Sequence, residues 1–399
     1  MRIALDVMFR LEVGGGNLTH LRHLLSAWFA DGVEQEHELV LVTRRENVEI
    51  LGPEVSDRVH VHPVGDRLAT PTRLVWEQAV LPRVVRCLSP DVLFCPGNIS
   101  PFTSPVPTVV MLRNALPFCP RPPTVKVGSS TWAWQITLGW FMRASSRTAT
   151  RTIFNSRYLR DLFVRRFGTD PSRCDVVLHG ADSFSDTAGR PEAPATGPTD
   201  SALLERLRIR NPFLLGVSHL YAYKHLPALV DGFAKSGLAE LGYQLVLAGK
   251  ETDQPHVEAT RAAIARRGLR SSIELVGPVA HHDVASLLRT CDAFVFQSTC
   301  ENCPNSLLEA IMAGVPIASS IAGPMPEMGG DAVEYYDPYR PNDIARSLRR
   351  VALDPEIRAR LRTRAGARAR TLSTWREAGR DTLESLASAA SARGRRVRA

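Results

Sequence analysis

Two glutamates, Glu301 and Glu309, stand eight positions apart in the segment Glu301-Asn-Cys-Pro-Asn-Ser-Leu-Leu-Glu309 of this 399-residue chain. Upstream, Ala293-Phe-Val-Phe296 is a short apolar run of strand formers that gives way to the polar Gln297-Ser-Thr299. Downstream, Asn305 and Ser306 can cap a helix through Leu307, Leu308, Ala310, Ile311 and Met312, which Gly314 stops. One acid therefore falls in a loop and the other in a helix, at the kind of strand–loop–helix junction where open α/β sheets hold phosphate-bearing ligands. Carboxylates in such a place have hydroxyls to hold rather than charge to neutralise. A ligand rich in both phosphate and hydroxyls is a sugar nucleotide.

Plainer readings of the same residues stay open. Ser306-Leu-Leu-Glu309 is also a capping box, in which Glu309 would only satisfy backbone donors at the helix start. Glu301 could be an ordinary loop acid. Cys300 and Cys303 have the Cys-x-x-Cys spacing of a redox or zinc pair, but no second pair follows, and two thiols make half of a metal site.

Length suggests two or three domains, with ample apolar content for their cores. Met1-Arg-Ile-Ala-Leu-Asp6 meets charge too early for a secretory segment, and no stretch reaches the roughly 18 apolar residues of a membrane span. Seven scattered cysteines fit a reducing compartment better than a disulfide framework. The expected location is cytoplasmic, with a peripheral contact on the inner face of the membrane left open. Net charge is +8 and the pI about 9.4. The excess gathers in two regions. One holds Arg143, Arg147, Arg151, Arg157, Arg160 and Arg165; the other runs from Arg346 through Arg370 and ends in the tail Arg393–Arg398. No nucleic-acid motif accompanies them, so nucleic acid is not an expected partner. Solvated helix faces account for such charge as readily as an anionic membrane does.

Strand-like runs alternate with helical patterns: Arg2–Asp6, Glu38–Thr43, Asp91–Phe94, Thr108–Leu112, Thr152–Phe154 and Asp175–Leu178. A Pro/Gly/Ser/Thr-rich stretch follows, and the alternation then resumes at Phe213–Val217, Gln244–Ala248, Ile273–Val276, Ala293–Phe296 and Pro316–Ser319. Near-continuous apolar strands imply parallel sheets covered on both faces. The expected fold is α/β, with two Rossmann-like, doubly wound parallel-sheet domains facing a cleft. They are placed at residues 1–182 and 205–374, joined by a linker at 183–204, with a C-terminal helix and basic tail at 375–399.

These residues resemble family 4 of the GT-B glycosyltransferases, also called group 1, which are retaining and use nucleotide-sugar donors. The resemblance covers nearly the whole chain and is densest between Phe213 and Pro338. Glu301 and Glu309 match the family's E-x7-E motif, followed by Ala310-Ile-Met-Ala-Gly-Val-Pro316. Gly323, Pro326, Glu327, Gly330-Asp-Ala332, Tyr336-Asp-Pro338, Trp76-Glu-Gln78 and Leu81-Pro82 resemble a bacterial subgroup with many mannosyltransferases of surface-polysaccharide synthesis. The resemblance implies that Glu309 binds the donor ribose, with Glu301 beside the transferred hexose. It puts the Asn305–Ser306 helix start at the diphosphate and makes Lys224 the cation that neutralises the leaving group. The glycine loop Gly14-Gly15-Gly16, continuing into Asn17, would let backbone approach donor phosphate and acceptor.

The sequence also departs from the family. His219 falls where an arginine often accompanies the lysine. Arg113-Asn114 replaces a His-Asp pair, so Arg113 becomes an anion contact and Asn114 a hydroxyl partner, or both are simply loop structure. Asn302 and Pro304 replace glycines, and Pro304 removes a backbone donor. No D-x-D pair occurs, so the expected reaction needs no metal or other cofactor. Its partners are a nucleotide-sugar donor and a glycan or lipid-linked acceptor. Trp132, Trp134, Trp140 and Phe141 beside Arg143 and Arg147 would form either an amphipathic edge for a lipid-linked acceptor or a buried aromatic core. A sugar-nucleotide epimerase of the same shape is the enzymatic alternative, and a basic membrane- or nucleic-acid-binding module the non-enzymatic one.

Overall fold

The computed structural model describes residues 1–11, 16–65, 70–119, 129–182 and 198–397. The chain forms two compact units. The first gathers Met1–Pro117, Ala133–Gly180 and Ser373–Ala399; the second comprises Phe118–Trp132 and Ala181–Leu372.

The first unit is built on seven parallel strands: β1 (Arg2–Val7), β2 (Glu38–Arg44), β3 (His60–Val64), β4 (Val92–Cys95), β5 (Thr108–Leu112), β6 (Arg151–Phe154) and β7 (Cys174–Val176). Their order is β3-β2-β1-β4-β5-β6-β7. The second unit holds six: β8 (Phe213–Val217), β9 (Gln244–Ala248), β10 (Ile273–Gly277), β11 (Ala293–Phe296), β12 (Ile317–Ser320) and β13 (Glu334–Tyr336), in the order β10-β9-β8-β11-β12-β13. Both sheets are parallel throughout. In each, successive strands are laid down first to one side and then to the other. The winding reverses between β1 and β4 in the first sheet and between β8 and β11 in the second. Loops diverge at such a reversal and leave room for a ligand at the carboxyl ends.

The central strands are the apolar runs that the sequence displays, because helices cover both faces. Two strands escaped that reading, β3 and β13. Both lie at sheet edges, and β3 reads His-Val-His-Pro-Val, with a proline that an edge tolerates. The expected linker differs as well. Residues 183–197 lie outside the described residues, but Pro198–Arg206 is a helix, on which Leu203 and Leu204 are buried.

The helix Trp375–Val397 belongs to the first unit. Trp375, Ala378, Leu386 and Ala389 join the core formed by Leu18, Leu21, Leu25 and Trp28 of the helix Gly16–Ala30. The Trp28 indole donates to the Gly379 carbonyl at 2.9 Å, and Ser385 Oγ donates to Asp175 Oδ2 at 2.6 Å. Gly180 admits this docking by lacking a Cβ, which would fall 2.2 Å from the Trp375 backbone nitrogen.

A buried ionic cluster stands at the carboxyl end of β1. Asp6, Arg73 and Glu77 are all buried, with Arg73 Nε 3.4 Å from Glu77 Oε1. Burial raises the carboxyl of Asp6 despite Arg73, and burial with the Asp6 charge raises Glu77 further, to about 8. A carboxyl raised on folding keeps a proton that the unfolded chain gives up. Its contribution to stability is complete below the ordinary carboxylate range and is lost as pH rises through the folded value. Urea unfolding should therefore give a midpoint that falls between about pH 5 and pH 8, by on the order of 2 kcal/mol in stability. Glu77→Gln, which mimics the protonated form, should flatten that fall. A midpoint equally pH-dependent in the variant would contradict the assignment.

Candidate functional site

The carboxyl ends of β8 and β11 are neighbours, paired in register Ala293 to Leu214 and Phe294 to Leu215. The segments that leave them are therefore brought side by side. After β8 the chain makes a one-turn helix, Ala222–Lys224, and then enters the helix Leu226–Ser236 through His225, whose φ is 46°. After β11 it runs through an irregular loop to the helix Asn305–Met312. Lys224 and Glu301, 77 residues apart in sequence, meet here: Nζ donates to Oε1 at 2.6 Å. Their side chains are only 7% and 14% exposed, so each charge depends on the other for the solvation it has lost.

Neighbouring groups complete this arrangement. Ser298 Oγ lies 2.9 Å from the same Glu301 oxygen. The Lys224 ammonium sits 4.7 Å from the Phe296 ring centroid and 5.4 Å from that of Tyr223, within cation–π range. Thr299 donates both its N–H and its hydroxyl to the Tyr223 carbonyl, each at 2.8 Å. Burial and the Glu301 charge together hold the Tyr223 hydroxyl well above its usual range, so it stays protonated. Neither Ser298 nor Tyr223 stands out in the sequence: one lies in a polar Gln-Ser-Thr loop, the other next to a lysine, and only the β8–β11 pairing makes them neighbours.

Glu309 occupies a different environment. It is half-buried, and desolvation raises its carboxyl to about 7. Its carboxyl makes no hydrogen bond or ion pair with a described residue. The capping-box reading fails here. The helix begins at Asn305, its N-cap is Pro304, and no side chain caps it. Ser306 is thus the second helical residue, and Glu309 is the fifth, two positions too late to reach back to the cap. Leu307 and Leu308 N–H groups bond to the Pro304 carbonyl at 3.1 and 3.3 Å. The Ser306 N–H has no acceptor among the described residues, which leaves a donor for a ligand at the positive end of the helix. His219 is exposed near the end of β8, its Nδ1 accepting from the Lys250 N–H at 3.3 Å.

The candidates from the N-terminal half lie in the first unit and are described by themselves. Gly14 and Gly15 fall outside the described residues. Arg113 reaches the start of the helix Gly16–Ala30, where Nη1 donates to Asn17 Oδ1 at 3.1 Å and Nη2 to the Gly16 carbonyl at 2.7 Å. Asn98 Oδ1 accepts from the N–H groups of both Arg113 and Asn114, at 2.6 and 2.9 Å. The Asn114 side-chain oxygen accepts the Leu116 N–H at 2.9 Å and is thereby committed to the turn. This group stands at the carboxyl ends of β4 and β5, beside the winding reversal of the first sheet.

The aromatic stretch follows neither expectation alone. The side chain of Trp132 lies outside those described. Trp134 and Phe141 are half-buried and Met142 is buried, whereas Ile136 and Trp140 are 49% and 56% exposed. Many of the singled-out arginines are engaged in the fold. Arg151 pairs with Asp175, Arg160 with Asp161, Arg346 with Asp343, Arg350 with Glu334, Arg358 with Asp292 and Arg364 with Asp331. Arg143 lies over the Phe167 ring, 4.4 Å from its centroid. Such pairing weakens the case for a free polybasic surface.

Cysteine usage is corrected too. Cys300 does not pair with Cys303 but forms a disulfide with Cys119, 181 residues away. Spacing gives no hint of a bond between such distant residues. Among the described residues no cluster of His, Cys, Asp or Glu gathers as metal ligands, and no helix is long and apolar enough to cross a membrane.

Known proteins share the family and the fold. Residues 205–368 match the family described as Glycosyl transferases group 1, and residues 14–183 match Glycosyltransferase Family 4. Mannosylfructose-phosphate synthase of Agrobacterium fabrum is 24% identical over 190 residues, which are 46% of this chain and 42% of that protein. The chain thus matches less than half the length of that relative. A glycosyltransferase from Rickettsia africae superposes with a TM-score of 0.71 at 13% identity, covering 97% of this chain and 98% of that one. Anabaena HepE in complex with UDP and glucose also gives 0.71, at 19% identity, covering 97% and 100%. These structural likenesses establish the GT-B fold. The two family matches together take in most of the chain, which belongs to family 4, or group 1, of the glycosyltransferases.

Proposed function

We propose that this protein is a retaining glycosyltransferase that moves a hexose, with mannose the first to test, from a nucleoside-diphosphate sugar to a hydroxyl of a glycan or lipid-linked acceptor in surface-polysaccharide or glycoconjugate synthesis. One observation carries this reading. Two carboxyls at one winding reversal are held in opposite ways, Glu301 engaged by Lys224 and Glu309 with no partner among the described residues. Family membership and the UDP and glucose held by HepE support it.

In this reading Glu309 accepts from the ribose hydroxyls, which supply the hydrogen bonds its carboxyl lacks. The Ser306 N–H and the helix start receive the diphosphate, together with the Lys224 ammonium. His219 contributes a further donor where the family often has an arginine. Glu301 positions the hexose and, when Lys224 turns toward phosphate, faces the charge that develops at the anomeric carbon. The acceptor hydroxyl attacks that carbon on the face that the diphosphate leaves, and its proton passes to the departing phosphate oxygen. Cationic side chains and a helix end do the work that a metal does in other transferases. In the first unit, Arg113, Asn17 and Asn114 meet acceptor or sugar groups. The exposed Ile136 and Trp140 beside Arg143 and Arg147 suit a lipid-linked acceptor presented at an anionic membrane surface.

Thermal-shift measurements with UDP-, GDP-, ADP- and dTDP-sugars should single out one donor. Its affinity should rise as pH passes upward through about 7, where Glu309 ionises and becomes the stronger acceptor. Glu309→Gln should abolish that pH dependence, and Glu309→Ala should weaken donor binding about tenfold or more. Lys224→Ala should lower turnover about a hundredfold. Without ligand it should also cost roughly 3 kcal/mol by leaving Glu301 buried and unpaired, much of it recovered by adding Glu301→Gln. Near-normal transfer by both single alanine variants would overturn the assignment.

A further inference from the structure

The disulfide between Cys119 and Cys300 ends one residue before Glu301, and nothing in the reaction so far uses it. We propose that the Cys119–Cys300 bond is a positioning element for the Glu301–Lys224 pair, so that a dithiol reductant slows sugar transfer without releasing the nucleotide. The inference rests on the donor-site reading above and concerns the second unit alone, to which Phe118–Trp132 and Cys300 both belong.

The loop that carries Glu301 has no regular structure from Gln297 to Pro304, so side-chain ties set its path. On one side Thr299 binds the Tyr223 carbonyl through its N–H and its hydroxyl, which links the loop to the turn bearing Lys224. In the middle, Ser298 Oγ lies 3.1 Å from the Cys300 carbonyl, 3.4 Å from the Cys300 N–H and 2.9 Å from Glu301 Oε1. The backbone of Cys300 and the carboxylate of Glu301 therefore share one hydroxyl. On the other side the tie is covalent, through Cys300 Sγ to Cys119. A shift of Cys300 passes to Glu301 both through the peptide link and through Ser298.

Glu309 does not share this dependence. It stands on a helix anchored by the buried Leu307, Leu308, Ala310 and Ile311. The two glutamates should respond differently to loss of the bond: hexose positioning suffers while nucleotide binding persists.

Reduction is a two-electron exchange. A thiolate of the dithiol attacks Sγ of Cys119, which is half-buried, whereas Cys300 is 4% exposed. The Cys119–Cys300 bond breaks, Cys300 leaves as a thiolate and takes up a proton, and a mixed disulfide forms on Cys119. The second thiol of the reductant displaces Cys119, which leaves protonated, and the reductant ends as its own disulfide. A disulfide oxidant reverses each step.

The test uses the full chain with and without dithiothreitol. Peptide mapping of the unreduced protein should recover Cys119 joined to Cys300. In the reduced protein, and in Cys119→Ser in either redox state, kcat should fall about 10- to 100-fold. Affinity for the free nucleotide should stay within about twofold. Reoxidation should restore the native chain but not the variant, and Cys303→Ser should remain redox-sensitive. A bond that only stabilised the fold would lower the melting temperature without separating kcat from nucleotide affinity. Equal kcat in both redox states, or loss of nucleotide binding in parallel with kcat, overturns this inference alone. Absence of nucleotide-sugar binding by the oxidised protein overturns the donor-site reading and this inference with it.

Discussion

Strands covered on both faces leave little room for polar chemistry along their length, since a polar group buried there costs free energy unless it finds a partner. The central strands here obey that constraint: all residues of β4, β5, β9, β11 and β12 are buried. Functional groups are thus displaced to the segments that follow the strands, and strand order decides which segments meet. Because β8 pairs with β11 rather than with β10, the turn bearing Lys224 lies beside the loop bearing Glu301. The same logic in the first sheet puts Asp6 at the end of β1 beside the buried Cys95 of β4, which feels the charges of Asp6 and Glu77. Topology, more than any local preference, assembles both groups.

Within the second-unit group, identical side chains acquire different properties from their surroundings. Glu301 meets a cation and a hydroxyl. Glu309 meets only low-dielectric protein, and its raised carboxyl stores the cost of an unmet hydrogen-bonding capacity. Under the proposed function, the ribose hydroxyls of the donor relieve that cost. Asp6 and Glu77 show a third outcome, with two acids near one arginine and a proton retained first because burial disfavours charge and then, at Glu77, because of the Asp6 charge.

Much of this was legible in the sequence, and what was not has physical reasons. Phe213–Val217, Gln244–Ala248 and Ala293–Phe296 announced themselves as strands because double-sided burial demands unbroken apolar runs. Edge strands need no such run, so His60–Val64 and Glu334–Tyr336 passed unnoticed. The pairing of Glu301 with Lys224 was not legible: the family resemblance implies a donor-site role for each, but no spacing rule connects residues 77 apart. Ser306-x-x-Glu309 looks like a cap since cap signals are read from local composition, whereas the helix starts at Asn305, two residues earlier than that pattern requires. The disulfide partner of Cys300 and the docking of Trp375 are long-range events of the same kind.

The docking of the helix Trp375–Val397 also bears on how the protein is made. The first unit receives part of its core from residues that follow the whole of Ala181–Leu372. During synthesis, the face formed by Leu18, Leu21, Leu25 and Trp28 must wait for its cover while the second unit is translated. At usual elongation rates that delay is on the order of ten seconds or more. The second unit can finish folding on the ribosome while the first, begun earlier, is still incomplete. That apolar face stays uncovered until Trp375 arrives to stack against the rings of His23 and His179, at 4.8 and 5.5 Å.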